Sequence, residues 1–351
     1  MKTLHITVSP HTPDPAALAQ AATIINRGGL VAMPTETVYG LAGDATNPAA
    51  VAAIFAAKGR PTTDPLIVHI ADMVQLADIV HTVPAHFALL SETFWPGPLT
   101  ILVPKHATLN PDITAGFATV AIRMPAHPVA LALIRACGRP LVAPSANLFS
   151  RPSPTCAAHV LHDLAGRIDA VLDAGETQIG VESTIVDITT TPARILRHGG
   201  VPAEQLSTIL GDIEIATRSV AAGSAAPAPG MLLKHYAPQA PMSIFRGEII
   251  RVQEAIQRYA ATHPGTAWLC YDDDVTVAAR HHIVHLSLGP RHQAHVVATR
   301  LFAALRELDT TDVAQIVTSE PLGGGVAAAI CDRLFRAAEG RIINVDEHAA
   351  S

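Results

Sequence analysis

From Ile215 to Gly230 the chain changes character, giving way to alanine, serine, proline and glycine, most clearly in Ala225-Ala226-Pro227-Ala228-Pro229-Gly230. A run like this offers few large apolar side chains to a core and favours extended backbone, so it reads as a linker between two folding units. The expected division is a domain over residues 1–211, a linker over 212–240 and a second domain over 241–351. A length of 351 residues suits about two domains of roughly 100–200 residues each. Hydrophobic residues make up 49% of the chain and charged ones 15%, enough apolar surface to offset the ordering entropy of folding.

Before the linker, short apolar runs alternate with helical segments. Asp14-Pro15 sets up a capped helix that Gly28-Gly29 ends, and Leu30 to Met33 follows as a buried strand. Asn47-Pro48 opens an alanine-rich helix that stops at Lys58-Gly59. Strands are expected at Leu66–Ile70, Leu99–Val103, Val120–Arg123, Leu141–Ala143, Ala170–Leu172 and Thr184–Ile188, with helices near 85–94, 127–137 and 155–165. This is an α/β pattern. After the linker a smaller open α/β pattern is expected, with strands at Met242–Phe245, Thr266–Cys270, His282–Leu286 and Ala314–Thr318 and helices near 248–262, 293–308 and 325–338.

Four clusters carry chemistry. Pro34-Thr35-Glu36-Thr37-Val38-Tyr39-Gly40-Leu41 sets hydroxyls and a carboxylate just after a strand, where open α/β sheets present their ligand crevice, although a polar turn explains it equally well. Lys58-Gly59-Arg60-Pro61, followed by Asp64-Pro65-Leu66-Ile67-Val68-His69, flanks a glycine with two cations. That pattern suits a polyphosphate, with Lys58 as a point charge and Arg60 as a planar fork, but helix C-termini also favour cations. Pro144-Ser145-Ala146-Asn147 ends another buried strand, and Ser153-Pro154-Thr155 starts a helix whose free N–H groups suit a phosphate or simply a cap. Gly180-Val181-Glu182-Ser183-Thr184-Ile185-Val186-Asp187 is joined to Arg194-Ile195-Leu196-Arg197-His198-Gly199, and Arg123 closes a strand of its own.

In chain order, P-T-E-T-V-Y-G-L, K-G-R-P with P-L-I-V-H, P-S-A-N with S-P-T, and E-S-T-I-V-D with L-R-H-G resemble the signature segments of the YrdC-like threonylcarbamoyl-AMP synthase family, over about residues 12–210. Pro229-Gly230-Met231 and Lys234-His235-Tyr236-Ala237-Pro238 resemble the linker of its longer, two-domain members, and Gly323-Gly324-Gly325 with Ala329–Leu334 is similar to their second domain. The resemblance implies a twisted, open mixed sheet with flanking helices, plus a smaller Rossmann-like α/β domain. It implies that L-threonine, bicarbonate and ATP are condensed to threonylcarbamoyl-AMP and pyrophosphate. The adenylate would pass to downstream machinery that modifies the adenosine next to the anticodon in tRNAs reading ANN codons. By matching motif positions, Thr37, His69, Arg123 and Ser183 are expected to hold threonine, while Arg60, Asp64, Thr119, Ser145, Ser153, Arg197 and Tyr236 are expected to line the ATP site. Lys58 joins Arg60 as a catalytic candidate by charge and spacing, and Tyr236 makes the linker a candidate lid. Mg2+ is expected with ATP, and no carboxylate cluster marks a dedicated metal site. Two departures from the family pattern are Asp64, where asparagine is usual, and Phe149-Ser150, where Ser-Gly is usual.

The competing functions are an RNA-binding module and a carbamoyl-transfer domain of the hydrogenase-maturation type. A net charge of −6 argues against a broad nucleic-acid surface and leaves room only for a local tRNA contact. The hydrogenase-maturation proteins add cysteine-rich zinc modules, whereas Cys137, Cys156, Cys270 and Cys331 are too far apart to form one and read as reduced thiols. Asp272-Asp273-Asp274 and His281-His282 read as an acidic turn and a polar strand start rather than a metal site. With no signal-peptide core near Met1–Pro15 and no membrane-length apolar run, a cytoplasmic location away from membranes is expected.

Overall fold

The computed structural model describes residues 2–216 and 225–346. The chain divides into two units: Met1–Phe149 with Ser153–Leu232, and Ser150–Pro152 with Leu233–Ser351. Residues 217–224, within the expected linker, lie outside the described residues. The part that follows it, up to Leu232, belongs to the first unit.

In the first unit the strands are β1 (Leu4–Thr7), β2 (Val31–Met33), β3 (Gly40–Asp44), β4 (Ile67–His69), β5 (Leu99–Pro104), β6 (Thr119–Arg123), β7 (Leu141–Val142), β8 (Ala170–Asp173), β9 (Thr184–Asp187), β10 (Ala193–Arg197) and β11 (Ile213–Ile215). They form one mixed sheet in the order β1-β8-β2-β3-β7-β4-β6-β5-β9-β10-β11. The helices are α1 (Pro15–Asn26), α2 (Pro48–Lys58), α3 (Ala85–Phe94), α4 (Pro128–Cys137), α5 (Ala157–Leu164) and α6 (Ala203–Leu210). Three of them begin in the same way: Asp14, Asn47 and His127 accept N–H bonds from the first turns of α1, α2 and α4, each with proline as the first helical residue.

Alternation along the strands decides what each face meets. Ala32, Leu41, Val68, Ile101, Ile122, Val142, Val171, Val186 and Ile195 point into one continuous core, shared with Val51, Ile54 and Phe55 of α2. On the opposite face, Val31, Met33, Ala42, Leu141, Ala170 and Leu172 pack against α1 and α4. Further along that same face, at β4, β6, β5, β9 and β10, a small apolar patch of Ile67, Leu102, Ala121, Ile185 and Leu196 meets Ala226, Ala228 and Met231 of the expected linker.

Strand β3, which begins inside the Pro34–Leu41 cluster, was not among the expected strands; it pairs antiparallel with β2 (Met33↔Gly40) and β7 (Gly43↔Val142). Its glycines hid it, since glycine is a poor strand former chosen here for close approach. A Cβ on Gly43 would lie 3.0 Å from Ile54 Cδ1, and one on Gly40 would lie 3.2 Å from Ala143 Cβ. Strand β10 also went unread, and its Gly199 follow-on is tied to the same need: a Cβ there would fall 2.3 Å from the backbone of Glu182 to Thr184.

The second unit alternates strands and helices: β12 (Met242–Arg246), α7 (Ile249–Thr262), β13 (Thr266–Cys270), α8 (Val275–Arg280), β14 (Val284–Ser287), α9 (Ala294–Leu308), β15 (Gln315–Ser319), α10 (Val326–Ala337) and β16 (Ile342–Asn344). Its sheet is wholly parallel, in the order β14-β13-β15-β12-β16. The acidic run expected as a turn is one: Asp273 and Asp274 pair with Arg291 at 3.1 and 2.6 Å. All four cysteines are free thiols. Among the described residues no helix is long and apolar enough to cross a membrane, and no three metal-ligating side chains converge.

The Phe149-Ser150 departure has a backbone consequence. Ser150 sits at φ 69°, in the left-handed region where a side chain is strained and glycine is not. Replacing Ser150 by glycine is therefore expected to stabilise the protein by about 1 kcal/mol in urea unfolding, whereas Ser150→Ala should leave it no more stable than wild type.

Candidate functional site

The helix-free part of the sheet face carries the polar residues. Strand alternation sets Ile67 and His69 on β4, Thr100 and Leu102 on β5, and Thr119, Ala121 and Arg123 on β6 toward the same side. Register then brings neighbours together, with His69 opposite Arg123 and Ile67 opposite Ala121. Ser183, just ahead of β9, joins them through a 2.7 Å hydrogen bond to the Thr100 hydroxyl. Segment 225–232 is anchored over the patch, Ala226 N–H donating to Thr63 O at 3.1 Å and Arg197 Nη1 to Pro229 O at 3.3 Å.

Arg123, only 4% exposed, is held on three sides. Its Nη2 donates to Glu36 Oε1 at 2.6 Å, its Nη1 to Thr37 Oγ1 at 2.9 Å and its Nε to Gly97 O at 3.2 Å. Thr35 fixes this turn by accepting from the Thr37 and Val38 N–H groups and donating to Val38 O. His69 is buried beside Arg123, and burial, reinforced by that cation, pushes its pKa down to about 3. Its Nδ1 lies 3.2 Å from Ile67 O, which only accepts, so the neutral ring carries its proton on Nδ1 and leaves Nε2 as an acceptor. His127 has the reverse arrangement: Nδ1 accepts from Val129 N–H, and burial lowers its pKa, leaving Nε2–H as a donor.

Lys58, Arg60 and Arg197 surround Asp64. Burial raises the Asp64 pKa, and Arg60, Lys58 and Arg197, in that order, oppose the rise. Gly59 adopts φ 63° as the C-cap of α2, which turns the chain so that Lys58 and Arg60 both face inward. Lys58 Nζ donates to the carbonyls of Ser145 and Asn147, so it shapes the Pro-Ser-Ala-Asn turn as well as charging the site. Arg60 binds the Asp64 and Pro65 carbonyls at 3.1 and 2.6 Å and lies 3.1 Å from Asp64 Oδ2. Neither Asp64 carboxylate oxygen has a hydrogen-bond partner among the described residues. Arg197 donates twice to Ser183 O and once to its hydroxyl, linking this cluster to Arg123's neighbourhood. Ser153 donates to Glu182 Oε1.

Of the residues singled out in the sequence, Thr37, His69, Arg123 and Ser183 share one polar face, and Lys58, Arg60, Asp64 and Arg197 form an adjoining cation-rich group. Ser145 and Ser153 are tied to the site through Lys58 and Glu182, and Thr119 lies on the same face of β6. Tyr236 belongs to the second unit, buried at φ 61°, with its ring 5.4 Å from that of Phe302 and the Arg333 guanidinium 5.0 Å above it. Thr100 and Glu182 were not singled out. The alternation in Leu-Thr-Ile-Leu-Val signals Thr100, whereas nothing local marks Glu182 as a partner of Ser153.

The family model Sua5_yciO_yrdC, described as telomere recombination, matches residues 23–199, and that of the threonylcarbamoyl-AMP synthase C-terminal domain matches 201–339. Threonylcarbamoyl-AMP synthase of Bacillus subtilis is 44% identical over 95% of this chain and 95% of that protein. Its namesake from Pyrococcus abyssi is 41% identical over 93% and 95%. The crystal structure of P. abyssi Sua5 complexed with L-threonine superposes with a TM-score of 0.89 at 40% identity, covering 97% of this chain and 99% of that one. The chain belongs to the threonylcarbamoyl-AMP synthase family, in its two-domain form.

The buried neutral His69 makes stability depend on pH. Between pH 6.5 and about 3 the unfolded chain binds a proton at this position that the folded chain does not, so stability falls as the pH drops through that window. The limiting slope is about 1.4 kcal/mol per pH unit per proton. The stability gap between wild type and His69→Asn, measured by urea unfolding, is expected to shift in the variant's favour as pH is lowered from 6.5 to 4; a gap that stays constant would contradict a neutral buried ring.

Proposed function

We propose that the protein is an L-threonylcarbamoyladenylate synthase: L-threonine, bicarbonate and ATP give threonylcarbamoyl-AMP, pyrophosphate and water. The observation that carries the reading is a buried arginine–histidine–hydroxyl set (Arg123, His69, Thr37, Ser183) with a cation group (Lys58, Arg60, Arg197) adjoining it through the Arg197–Ser183 bonds. The first set suits a small hydroxy-amino acid and the second a polyphosphate. The threonine bound by the P. abyssi relative supports the amino acid.

In this scheme threonine is first carboxylated on nitrogen. A carbamate oxygen then attacks the α-phosphorus of ATP, the bond from that phosphorus to the bridging oxygen breaks, and pyrophosphate leaves with the electron pair. The nucleophile belongs to the substrate, so the protein's work is positioning and charge stabilisation. Arg123 takes the amino acid carboxylate, and neutral His69 accepts a hydrogen bond from the hydroxyl at Nε2. Arg60 and Arg197, with Lys58 behind them, offset the charge that grows on the departing pyrophosphate. Mg2+, if bound with ATP, would supply counter-charge to the triphosphate, and no cluster of three metal-ligating side chains among the described residues would hold it. Ser145, Ser153, Thr119 and Asp64 complete the proposed nucleotide set within the first unit. The product goes on to the machinery that modifies tRNA.

Pyrophosphate release with ATP and bicarbonate, measured with and without L-threonine and with the products weighed by mass spectrometry, tests this reading. Threonine-dependent release with threonylcarbamoyl-AMP among the products is expected, and a folded protein that binds ATP without turning over would overturn it. Arg60→Ala is expected to lower kcat/KM at least tenfold, or about 1.4 kcal/mol of transition-state stabilisation. Near-wild-type rates in that variant would remove Arg60 from the phosphate site.

A further inference from the structure

Glu36 is tied to the polar face through Arg123 and has no part in the steps proposed so far. It is buried, 4% exposed, on the turn between β2 and β3. One carboxylate oxygen, Oε1, accepts from Arg123 Nη2 at 2.6 Å. The other, Oε2, is shut off from solvent and has no hydrogen-bond partner among the described residues. An unsatisfied buried acceptor costs about 1–3 kcal/mol, and more when charged, so such an oxygen is retained where something else supplies its donor.

The neighbouring side chains do not supply one. The Thr37 hydroxyl already accepts from Arg123 and lies 2.8 Å from Thr35 Oγ1, and the Thr35 hydroxyl hydrogen goes to Val38 O. Among the described residues, Arg123, at the end of β6, and His127, at the start of α4, are titratable or charged groups that interact with Glu36.

We propose that Glu36 is a further catalytic residue: Oε2 receives the α-ammonium of the bound threonine and takes the proton that must leave before the nitrogen can attack bicarbonate. The inference rests on the synthase reading and extends it to the first chemical step. In an α-amino acid the nitrogen lies only about 2.5 Å from the carboxyl carbon. A substrate carboxylate on the Arg123 guanidinium therefore carries its ammonium to that guanidinium's immediate surroundings, where Glu36 is already hydrogen-bonded.

The chemistry needs such a group. An ammonium has no lone pair, so one N–H bond must break, its electron pair remaining on nitrogen and its proton passing to Glu36. That pair then forms the C–N bond to the bicarbonate carbon. A C–O bond of bicarbonate breaks, and its hydroxyl, with the proton returned from Glu36 and one lost from nitrogen, accounts for the water and the proton released. The nearby imidazoles are poorly suited to the task. Burial and Arg123 push the His69 pKa to about 3, so it accepts hydrogen bonds without holding a proton. His127 has its unprotonated nitrogen committed to Val129 N–H. Geometry comes first for a general base, and Glu36 Oε2 is an uncommitted acceptor on a carboxylate already hydrogen-bonded to the Arg123 guanidinium.

The test uses the full-length protein, wild type and Glu36→Gln, titrated by calorimetry with L-threonine and with (R)-3-hydroxybutyrate, which is threonine without its amino group. The amide retains an oxygen for Arg123 and replaces the free acceptor by a donor. Expected is a loss of at least tenfold in threonine affinity in the variant, with the affinity for the deamino acid changed by less than about threefold. The variant's residual turnover should also climb with pH as free amine becomes available in solution, over a range in which wild type stays level. Equal losses for both ligands would reduce Glu36 to an anchor for Arg123 and overturn the proposal, as would unchanged threonine affinity with an unchanged pH profile. Failure of the wild type to bind threonine would instead defeat the synthase reading beneath it.

Discussion

Everything at the site depends on where helices do not cover the sheet. One face of the eleven-stranded sheet is buried along its length by a continuous core. The other is packed by α1 and α4 only at the β8-β2-β3-β7 end. Over β4, β6, β5 and β9 the two-residue period of extended backbone still points every second side chain to that side, and a helical cover would require those side chains to be apolar. They are instead His69, Arg123, Thr100 and Ser183, with a few apolar neighbours met by the small side chains of segment 225–232. The alternation that builds the core thus also builds the polar face.

Charge burial at that face has to be balanced within it. Arg123 and Glu36 are each almost wholly removed from solvent, and burying two such groups costs several kcal/mol per ion unless geometry and further hydrogen bonds compensate. The Gly97 carbonyl and the Thr37 hydroxyl help satisfy the arginine, while the carboxylate is left one donor short. The cation group is similar: Asp64 sits among Arg60, Lys58 and Arg197 with burial raising its pKa. A site with unfilled hydrogen-bonding capacity on buried charged groups is prepared for a charged ligand, at a cost to its own stability.

Much of this was legible in the sequence. Capped, proline-initiated helices were placed within about a residue or two of their observed starts, the usual limit for helix ends. Strands rich in valine, isoleucine and leucine were equally clear. What escaped was whatever depended on contact between distant segments. Gly40-Leu41-Ala42-Gly43-Asp44 has the composition of a loop, and only its packing against Ala143 and Ile54 makes it a strand. Cationic residues could be read individually, but not that Lys58 would turn its ammonium onto the carbonyls of Ser145 and Asn147. Serine at position 150 looked like a simple change of loop chemistry, and its left-handed backbone shows why glycine belongs there.

In the proposed reading, the uncovered sheet face receives threonine and the cation group adjoining it receives the triphosphate. A crystal structure of the protein with L-threonine and a non-hydrolysable ATP analogue tests it directly. The threonine carboxylate is expected on the Arg123 guanidinium and the phosphates among Arg60, Lys58 and Arg197. Ligands bound away from this face, or a threonine whose carboxylate lies beyond reach of Arg123, would contradict it.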